Sequence, residues 1–581
     1  MTGATLEAPA GVSARRLVQV RSARLLVAAI ICLTVALDVV WLFRFRRGYV
    51  TEWDESGYLQ FSLSNFDALH DQGIWTFAKT VAGRGTFGPF LPFVTSLAYP
   101  FVTRGVLGSL LVLPLFFAGL VAATFALARQ MVSDSWAVLA AFCVAAIPAV
   151  TDYTRLYHFA LPATACMTAA LWALLRSHGF RRAGWAAAFG LFVALTLLSR
   201  TMTVAYAPGL AAAAGVQFLH AGPPGLRVKL RNLGIAVVTF LLVAGPWYIR
   251  NRHSIYDYLV GRGYGEGATR FGRHYPVTSW DYWTKELRID LSYLQLPLSG
   301  ALALAFLAGL AFLLVRRSRP RLPRSARGIA LLTLAIVVLE GYLVLTSSRD
   351  EGTAFALPWL PALVVLGVAA AASVPTGLVR TCLVVSLVGV SAVAIASKSG
   401  LVQSLAVTRT VSVPGLGRVD VTDGEGIIQE IVRTAGYDIG PVTQPMPRMH
   451  KRWLPVDRKV VGALYAEADA RQRPLDVTLG IDDGLFTWSR LTLAAQLWFH
   501  RYLSVDYLRS AAGGDTVESY RRQILSPHAE DVLITGQQKP IATITRSKVE
   551  QAARSLGFVR VKSFALPDGR RIWIWWREAR Q

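Results

Sequence analysis

The chain has 581 residues, of which 53% are hydrophobic and only 17% are charged, and its mean hydropathy is +0.42. Soluble proteins carry roughly a quarter charged residues, so this composition argues against a soluble protein and indicates that lipid is the main solvent. The net charge of +24 would suit a nucleic-acid-binding protein, but the basic residues cluster in short loops between long apolar runs. That distribution is typical of the cytoplasmic loops of membrane proteins, and we expect no nucleic-acid partner.

The apolar segments predict an α-helical polytopic membrane protein in a lipid bilayer. A helix needs about 20 apolar residues to cross the hydrocarbon. The first such run, from Leu25 to Phe43, is longer than the apolar part of a signal peptide, and no small-residue cleavage site follows it. We therefore predict a retained helix behind a cytoplasmic tail of residues 1–23. About eleven transmembrane helices are predicted in all, near residues 24–43, 106–128, 134–150, 157–176, 183–199, 203–220, 231–249, 293–315, 326–347, 353–374 and 378–397.

Arginine-rich loops indicate the orientation of this transmembrane domain, which covers residues 24–397. Three such loops lie near residues 176–182, 227–231 and 316–327. The positive-inside bias places all three in the cytoplasm, so the N-terminus is cytoplasmic and the number of crossings is odd. Two large loops, 44–105 and 250–292, then lie on the outer face. The first contains a proline-rich stretch that is too interrupted to span and is expected to lie along the interface.

After Ser397 the composition changes, and residues 398–581 predict a small α/β domain outside the cytoplasm. Hydrophobicity falls there, and strand-like and helix-like patterns alternate. Strands are predicted near 477–481, 502–505 and 531–535, helices near 489–500 and 546–556, and a hairpin over 558–565 and 570–576. No glycine-rich phosphate-binding fingerprint occurs in this domain, so we expect no nucleotide.

The four cysteines, Cys32, Cys143, Cys166 and Cys382, all lie in apolar segments. A thiol in such a segment behaves as a small buried hydrophobe. Their spacing indicates neither a disulfide framework nor a metal site.

The sharpest candidate for chemistry is the segment 52–58 (EWDESGY), just outside the first predicted helix, in which Asp54 and Glu55 are adjacent. Neighbouring carboxylates at a membrane surface suit general-base or metal-binding work. Partial burial and mutual repulsion would raise the pKa of one of them into a useful range. An acidic segment that merely solvates an outer loop explains the same pattern about equally well.

Further segments follow in an order that resembles one family of membrane enzymes. Gly88–Pro92 (GPFLP) is similar to its Pro-Pro-Leu segment, and Leu198–Thr201 (LSRT) is similar to its Leu-Thr-Lys outer turn. Gly245–Asn251 (GPWYIRN) is close to its Pro-Trp-Tyr-x-x-Asn helix end, and Ala356–Pro361 (ALPWLP) is similar to its Leu-Pro-x-x-Pro helix. With the outer Asp-Glu pair, residues 20–400 resemble the GT-C superfamily of membrane glycosyltransferases. The most similar branch is that of the protein mannosyltransferases and aminoarabinose transferases.

The resemblance implies an inverting transfer of a sugar from a polyprenyl-phosphate-linked donor to an acceptor on the outer face of the membrane. Asp54 would be the general base that takes the acceptor's proton, and Glu55 would orient the acceptor or hold a metal ion. That branch is usually metal-independent, so no cofactor is expected, with a divalent cation as the alternative. Abundant Ala, Arg and Gly suggest a bacterium with a GC-rich genome. We therefore expect the inner membrane as the location and an envelope glycan, glycolipid or protein as the acceptor.

Three arginines are candidates for binding the donor phosphate: Arg200, Arg155 and Arg250. Arg200 stands at a predicted outer turn, where a charge is costly unless it meets an anion. Snorkelling to lipid headgroups is the alternative. The branch often has lysine here, so the charge is kept while the geometry changes. Arg250, like Arg252 and the arginines between 262 and 273, would equally suit a solvated loop or contact with lipid headgroups.

Five residues are candidates for binding the acceptor or the sugar: Tyr58, His70, Asp71, Asp152 and His158. Asp152 would replace an acidic residue that relatives carry a few positions later in the same predicted outer turn. His158 is more often a structural hydrogen-bonding residue than a catalyst, and His70 with Asp71 would equally cap a helix.

Two other residues, Asp38 and Glu340, are predicted inside apolar spans, where a carboxylate is a functional candidate by default. Arg349, Asp350 and Glu351 follow at the predicted outer face, where relatives often carry a basic residue.

Two other functional classes fit the sequence less well. A transporter or flippase of lipid-linked sugars is expected to show inverted repeats and charged or helix-breaking sites near the midplane, and the sequence shows neither convincingly. A scaffold of envelope assembly that had lost catalysis would lack the Asp-Glu pair, which is present. A glycosyltransferase is therefore the favoured hypothesis.

Overall fold

The computed structural model describes most of the chain. The described residues are 10–46, 51, 53–83, 85–220, 225–265, 275–315, 325–348, 354–405, 407–422, 448–481, 483, 486–508, 514–525, 532–537 and 544–578. The predictions that concern Glu52, the arginines between 266 and 273, most of the basic loop 316–327, and residues 349–351 lie outside these ranges.

The described residues between 10 and 399 form a bundle of long helices together with several short ones. In chain order the helices are α1 (Ala10–Arg44), α2 (Trp53–Asp71), α3 (Ile74–Ala82), α4 (Phe90–Ala98), α5 (Val106–Leu110), α6 (Leu113–Ala128), α7 (Asp134–Ala145), α8 (Pro148–Arg155), α9 (Ala160–Arg176), α10 (Ala183–Ser199), α11 (Ala207–His220), α12 (Leu226–Gly263), α13 (Trp280–Leu294), α14 (Leu296–Val315), α15 (Ala326–Ser347), α16 (Leu360–Ser373) and α17 (Leu378–Ser399). A 3-10 turn, Thr201–Tyr206, leads from α10 into α11.

Seven helices in the described ranges are long and apolar enough to cross a membrane, judged by length and composition. They are Arg21–Arg44, Val106–Ala128, Thr201–His220, Leu226–Gly261, Leu296–Val315, Ala326–Ser347 and Leu378–Ser399. An eighth span results if α7 and α8, which meet at an angle of 55°, are counted together. Pro148 begins α8, and proline cannot continue the hydrogen bonding of a preceding helix.

Three further apolar helices, α9, α10 and α16, are shorter, with 17, 17 and 14 residues. At 1.5 Å per residue they are about 21 to 26 Å long, less than the roughly 30 Å of bilayer hydrocarbon. Each of the eleven predicted segments thus coincides with an apolar helix. The predicted number is higher than seven or eight because it counted these three short helices as full spans.

The C-terminal domain is built on a mixed five-stranded sheet. Its elements are β1 (Arg409–Val413), β2 (Gly417–Thr422), α18 (Arg448–Arg471), β3 (Asp476–Gly480), α19 (Trp488–Ala494), β4 (Ser504–Tyr507), α20 (Val517–Ile524), β5 (Val532–Gly536), α21 (Arg546–Ser555), β6 (Phe558–Ala565) and β7 (Arg571–Arg577). Strands β1 and β2 form a separate hairpin, and the main sheet has the order β4-β3-β5-β7-β6. Strand β3 runs parallel to β4 and β5, whereas β7 runs antiparallel to β5 and β6.

The C-terminal domain packs directly on α2, the first helix after α1. Gln60 Nε2 on α2 donates to the Ser489 carbonyl at 2.5 Å, and Gln496 Nε2 donates to Ser64 Oγ at 2.8 Å. Arg104 Nη1 donates to the Gln496 carbonyl at 3.2 Å. The domain and α2 therefore lie on the same side of the helical bundle.

Candidate active site

The two carboxylates of the Asp-Glu pair lie in the first turn of α2 but have different surroundings. Asp54 is exposed, whereas Glu55 is 1% exposed. The Glu55 carboxylate accepts a hydrogen bond from Arg46 Nη2 at 2.5 Å and one from the backbone N–H of Tyr157 at 3.1 Å. Glu55 thereby fixes the start of α2 against the end of α1 and the turn after α8.

Glu55 belongs to a buried group of ion pairs that joins four helices. Arg155 Nε donates to Asp38 Oδ1 at 2.7 Å, and its Nη1 donates to the Lys398 carbonyl at 2.8 Å. Lys398 Nζ donates to both carboxylate oxygens of Asp152 at 2.9 Å. The buried ion-pair group consists of Asp38, Arg46, Glu55, Asp152, Arg155 and Lys398. Its three acidic and three basic side chains balance in charge, as buried ions must.

These contacts bear on two predicted binding residues. Arg155 was predicted to bind the donor phosphate, and Asp152 was predicted to bind the acceptor or the sugar. The structure places both inside the buried ion-pair group, with Arg155 also 4.2 Å from the Trp41 ring centroid. Their contacts favour a structural role, and their binding roles stay predictions. The same group accounts for Asp38, the carboxylate predicted within the first span.

Tyr58 and His158 lie beside the Asp54 turn. Asp54 and Tyr58 are four residues apart on α2, so they share one face of the helix. The Tyr58 ring centroid lies 4.1 Å from that of Phe159 and 5.5 Å from that of His158. The structure therefore brings the predicted base close to the turn between α8 and α9.

His158 is a buried, neutral imidazole. It is 5% exposed, and its Nδ1 accepts a hydrogen bond from the Ala160 N–H at 3.1 Å. Burial and, secondly, the charge of Arg200 hold the pKa of His158 well below its ordinary value. Because Nδ1 accepts, the single ring proton lies on Nε2.

Arg200 directly follows α10 and faces a cavity. Its Nη1 donates to the Ala354 carbonyl at 2.9 Å, and its guanidinium lies 4.5 Å from the Phe355 ring centroid. The cavity has a volume of about 320 Å³, and Arg200 is the only charged residue among the described residues that line it. Tyr206 and Ser348 are among the few polar residues of its wall.

The segment between α3 and α4 connects α2 to the Arg200 turn. Thr201 Oγ1 donates to the Thr86 carbonyl. Gly88 packs so closely against the last carbonyl groups of α10 that a Cβ in its place would collide with them. The ring of Phe87 lies 5.7 Å from that of Tyr58. Through these contacts the turn at position 200 and the start of α2 belong to one packed region, which contains Asp54, Tyr58, His158 and Arg200.

Other predicted residues lie apart from this region. His70 and Asp71 are exposed at the opposite end of α2, about 24 Å along the helix from Asp54. His70 stacks on Phe66, with 5.6 Å between the ring centroids. Arg250 is exposed on α12 and is not among the described residues that line the Arg200 cavity. The structure does not bring these three residues to the site, and their binding roles stay predictions.

Glu340, the second carboxylate predicted within a span, lies on α15 and faces α11. Its Oε2 lies 2.5 Å from the position that a Cβ would take at Gly209. Any side chain at residue 209 would therefore collide with the carboxylate.

A second acidic pair near the site was not predicted from the sequence. Glu286 and Asp290 on α13 are each 5% exposed, and burial together with the Glu286 charge holds the pKa of Asp290 well above its ordinary value. The signal in the sequence is the i, i+4 spacing of two carboxylates between apolar residues in the loop 250–292, which is predicted to lie on the outer face. It was hidden because that loop is also rich in arginine and aromatic residues.

Metal-binding clusters and disulfides were not expected from the sequence. In the ranges that the structure describes, no group of three or more His, Cys, Asp or Glu side chains could hold a metal ion. The four cysteines are free. Whether the chain works without a metal stays a prediction.

Comparison with solved structures finds a similar fold in ArnT from Cupriavidus metallidurans. The crystal structure of ArnT bound to undecaprenyl phosphate matches with a TM-score of 0.52 at 14% identity, over 94% of this chain and 97% of that one. The apo state of the same protein matches with a TM-score of 0.50 over the same shares. No protein-family model and no curated protein matches the chain. At 14% identity the comparison shows the fold alone. It confirms the fold that the resemblance in the sequence predicts: the chain has the GT-C fold of ArnT.

Proposed function

We propose that the chain is an inverting glycosyltransferase. It moves a sugar from a polyprenyl-phosphate-linked donor to an envelope glycan, glycolipid or protein on the outer face of a bacterial inner membrane. The observation that carries the proposal is the packing of the Asp54 turn and the Arg200 turn into one region beside a cavity of about 320 Å³. The ArnT structure of the same fold, which is bound to undecaprenyl phosphate, supports the choice of donor.

Asp54 is the proposed general base. Its exposed carboxylate, in the first turn of α2, takes the proton of an acceptor hydroxyl or amine as that group attacks the anomeric carbon. The attack comes from the face opposite the phosphate, the bond between the anomeric carbon and the phosphate oxygen breaks, and polyprenyl phosphate leaves. Glu55 holds the turn in place through Arg46 and the Tyr157 N–H, so the base keeps a fixed position.

Arg200 is the proposed ligand of the leaving phosphate. A fixed guanidinium stabilises the negative charge that develops as the bond breaks. The rest of the cavity wall is mostly apolar, with residues such as Leu259, Val344 and Leu345. A wall with one cation and many apolar side chains suits a lipid phosphate.

The proposal is tested with Asp54→Asn in the purified full chain, reconstituted in lipid and supplied with undecaprenyl-phosphate-linked mannose or glucose and an envelope extract as acceptor. Loss of a general base typically costs about 10²- to 10⁴-fold in rate, so transfer is expected to fall by at least that factor. Asp67→Asn is the matched control, because it removes a carboxylate from the same helix about 20 Å from Asp54, where the side chain pairs with Arg104, and it should leave the rate unchanged.

The outcome that counts against the proposal is a parental rate in Asp54→Asn. A flippase of lipid-linked sugars is excluded if the sugar is released from the lipid phosphate. It is favoured if labelled donor crosses the vesicle bilayer intact and at the same rate in both variants.

A further inference from the structure

Helix α13 carries a polar face that points toward the Arg200 region. Glu286, Asp290 and Tyr293 are spaced i, i+4 and i+7, so they line one face of the helix. The Tyr293 hydroxyl accepts a hydrogen bond from the Ala354 N–H, and the carbonyl of the same residue accepts from Arg200. The backbone of Ala354 therefore links Arg200, the candidate ligand of the donor phosphate, to the polar face of α13.

Two further contacts place α13 next to the cavity. Lys285 Nζ donates to the carbonyl of Ser348, a residue of the cavity wall. α13 also packs against α8, whose Tyr153 has its ring centroid 5.1 Å from that of His158. The carboxylates of α13 thus lie in the region that holds Arg200 and His158.

Asp290 has a buried oxygen that no described residue satisfies. The side chain is 5% exposed, and its Oδ1 has no hydrogen-bond partner in the described part of the chain. A buried acceptor without a partner destabilises a fold, and a ligand that donates a hydrogen bond to it removes this cost. Burial and the neighbouring Glu286 raise the pKa of Asp290 well above its ordinary value, so this carboxyl group takes up a proton more readily than an exposed aspartate does.

The chemistry of the pair indicates the kind of ligand. The unsatisfied Asp290 oxygen and the buried Glu286 carboxylate offer acceptor oxygens, and Asp290 also offers an O–H donor when it is protonated. This set matches a row of hydroxyl groups that each donate and accept. A metal ion is less well matched, because no group of three or more candidate ligands lies within the described ranges. A neutral polyol, such as a sugar ring, carries hydroxyl groups that donate to the acceptor oxygens and accept from the O–H donor.

We infer that Glu286 and Asp290 bind the hydroxyl groups of the donor's glycosyl unit, while Arg200 binds its phosphate. The inference rests on the proposed function and adds to it the residues that determine which sugar is bound. α13 is then the element that sets donor specificity, and the glycosyl unit lies between α13 and the first turn of α2.

The test measures binding by the purified full chain of two ligands, undecaprenyl phosphate and undecaprenyl-phosphate-linked mannose. In Asp290→Asn and in Glu286→Gln we expect the dissociation constant of the sugar-bearing lipid to rise about 10- to 100-fold, as for the loss of a buried hydrogen bond to a charged or strongly polar group. The dissociation constant of undecaprenyl phosphate should stay within twofold of the parental value. Arg200→Ala, in contrast, should weaken the binding of both lipids.

Asp281→Asn is the matched control. Asp281 lies on the same helix, paired with Arg288, but nine residues before Asp290 and hence on the opposite face. This variant should bind both lipids like the parent. The melting temperature of each variant shows whether it is folded, and Glu286→Gln provides a second test if Asp290→Asn does not fold.

Three results are distinguishable. Parental binding of the sugar-bearing lipid by both α13 variants overturns the inference and leaves the proposed function intact. Equal weakening for both lipids also overturns it, because the pair would then act on the whole site rather than on the sugar. Binding of neither lipid by the parent, with undecaprenyl-phosphate-linked glucose giving the same result, rejects the proposed function itself.

Discussion

Asp54 and Glu55 are neighbours in one helical turn, yet their side chains meet different environments. Glu55 is buried against Arg46 and the Tyr157 N–H, whereas Asp54 is exposed on the helix face that also carries Tyr58. A base that exchanges protons with an acceptor must be reachable, and a positioning residue must not move. The exposed Asp54 therefore suits the role of the base, and the buried Glu55 suits the role of the positioning residue.

His158 makes the stability of the protein depend on pH. Its folded-state pKa is lowered by burial and then by Arg200, while the unfolded imidazole titrates near about 6.5. Between these two pKa values the unfolded state binds more protons, so stability is full above pH ~6.5 and falls as the pH drops, by up to about 1.4 kcal/mol per pH unit. Melting temperatures measured in detergent from pH 5 to pH 8 should show this decline.

The control for this prediction is His158→Gln, which keeps a polar side chain but does not titrate. Its melting temperature should depend less on pH in the same range. If parent and variant lose stability in parallel below pH 6.5, another group is responsible.

At the scale of elements, the contact between Gly88 and the end of α10 sets the position of Arg200. A Cβ at residue 88 would lie 2.5 Å from the Ser199 carbonyl oxygen, so Gly88→Ala must push the two segments apart. Overpacking of this kind costs about 1–3 kcal/mol, and a displacement of about 1 Å in a site can lower the rate about 10²-fold. We expect a lower melting temperature and slower sugar transfer.

Gly119→Ala is the matched control for Gly88→Ala. A Cβ at Gly119 on α6 would meet no atom within 4 Å, so this variant should transfer sugar at the parental rate. A parental rate in Gly88→Ala as well would show that the α10 end does not position the site.

The elements that sequence patterns predicted best are those with long or regular apolar runs. Each predicted span coincides with an apolar helix, and the strands and helices predicted between residues 477 and 576 coincide with β3 to β7, α19 and α21. The hairpin of β1 and β2, by contrast, consists largely of exposed residues, so it lacks the alternation that marks a strand. Helix α20 was also missed, because it has only eight residues.

Side-chain partners could be predicted only in part, because they depend on which helices meet. Arg155 and Asp152 look like ligands in a polar outer turn, but Asp38 and Lys398, their partners, come from segments more than 100 residues away. Nothing in the local sequence marks these long-range pairs. Glu286 and Asp290 were not predicted for the same reason, because their burial follows from the packing of α13 on α8 and α15.

At the scale of the whole molecule, the buried ion-pair group joins the first and last helices of the bundle through α8. Removing one partner of a buried pair costs about 3–5 kcal/mol, so Lys398→Met should strongly lower the melting temperature by removing the ammonium group that pairs with Asp152. Replacing both partners, with Lys398→Met and Asp152→Leu together, should recover most of the loss.

The comparison of single and double variants by thermal unfolding in detergent checks this prediction. A double variant as unstable as Lys398→Met alone would mean that Asp152 needs no counter-charge. A single variant with the parental melting temperature would contradict the prediction outright.

The buried ion-pair group also has a consequence for how the chain is made. Asp38 finds Arg155 only after more than 100 further residues have been synthesised, and Asp152 finds Lys398 only when α17, the last helix of the bundle, emerges from the ribosome. Until then each carboxylate enters the bilayer, or waits in the insertion machinery, without its counter-ion, at a cost in free energy. The buried ion pairs are therefore complete only once residue 398 has been inserted, and a chain that stops before it lacks the ion pair between Asp152 and Lys398.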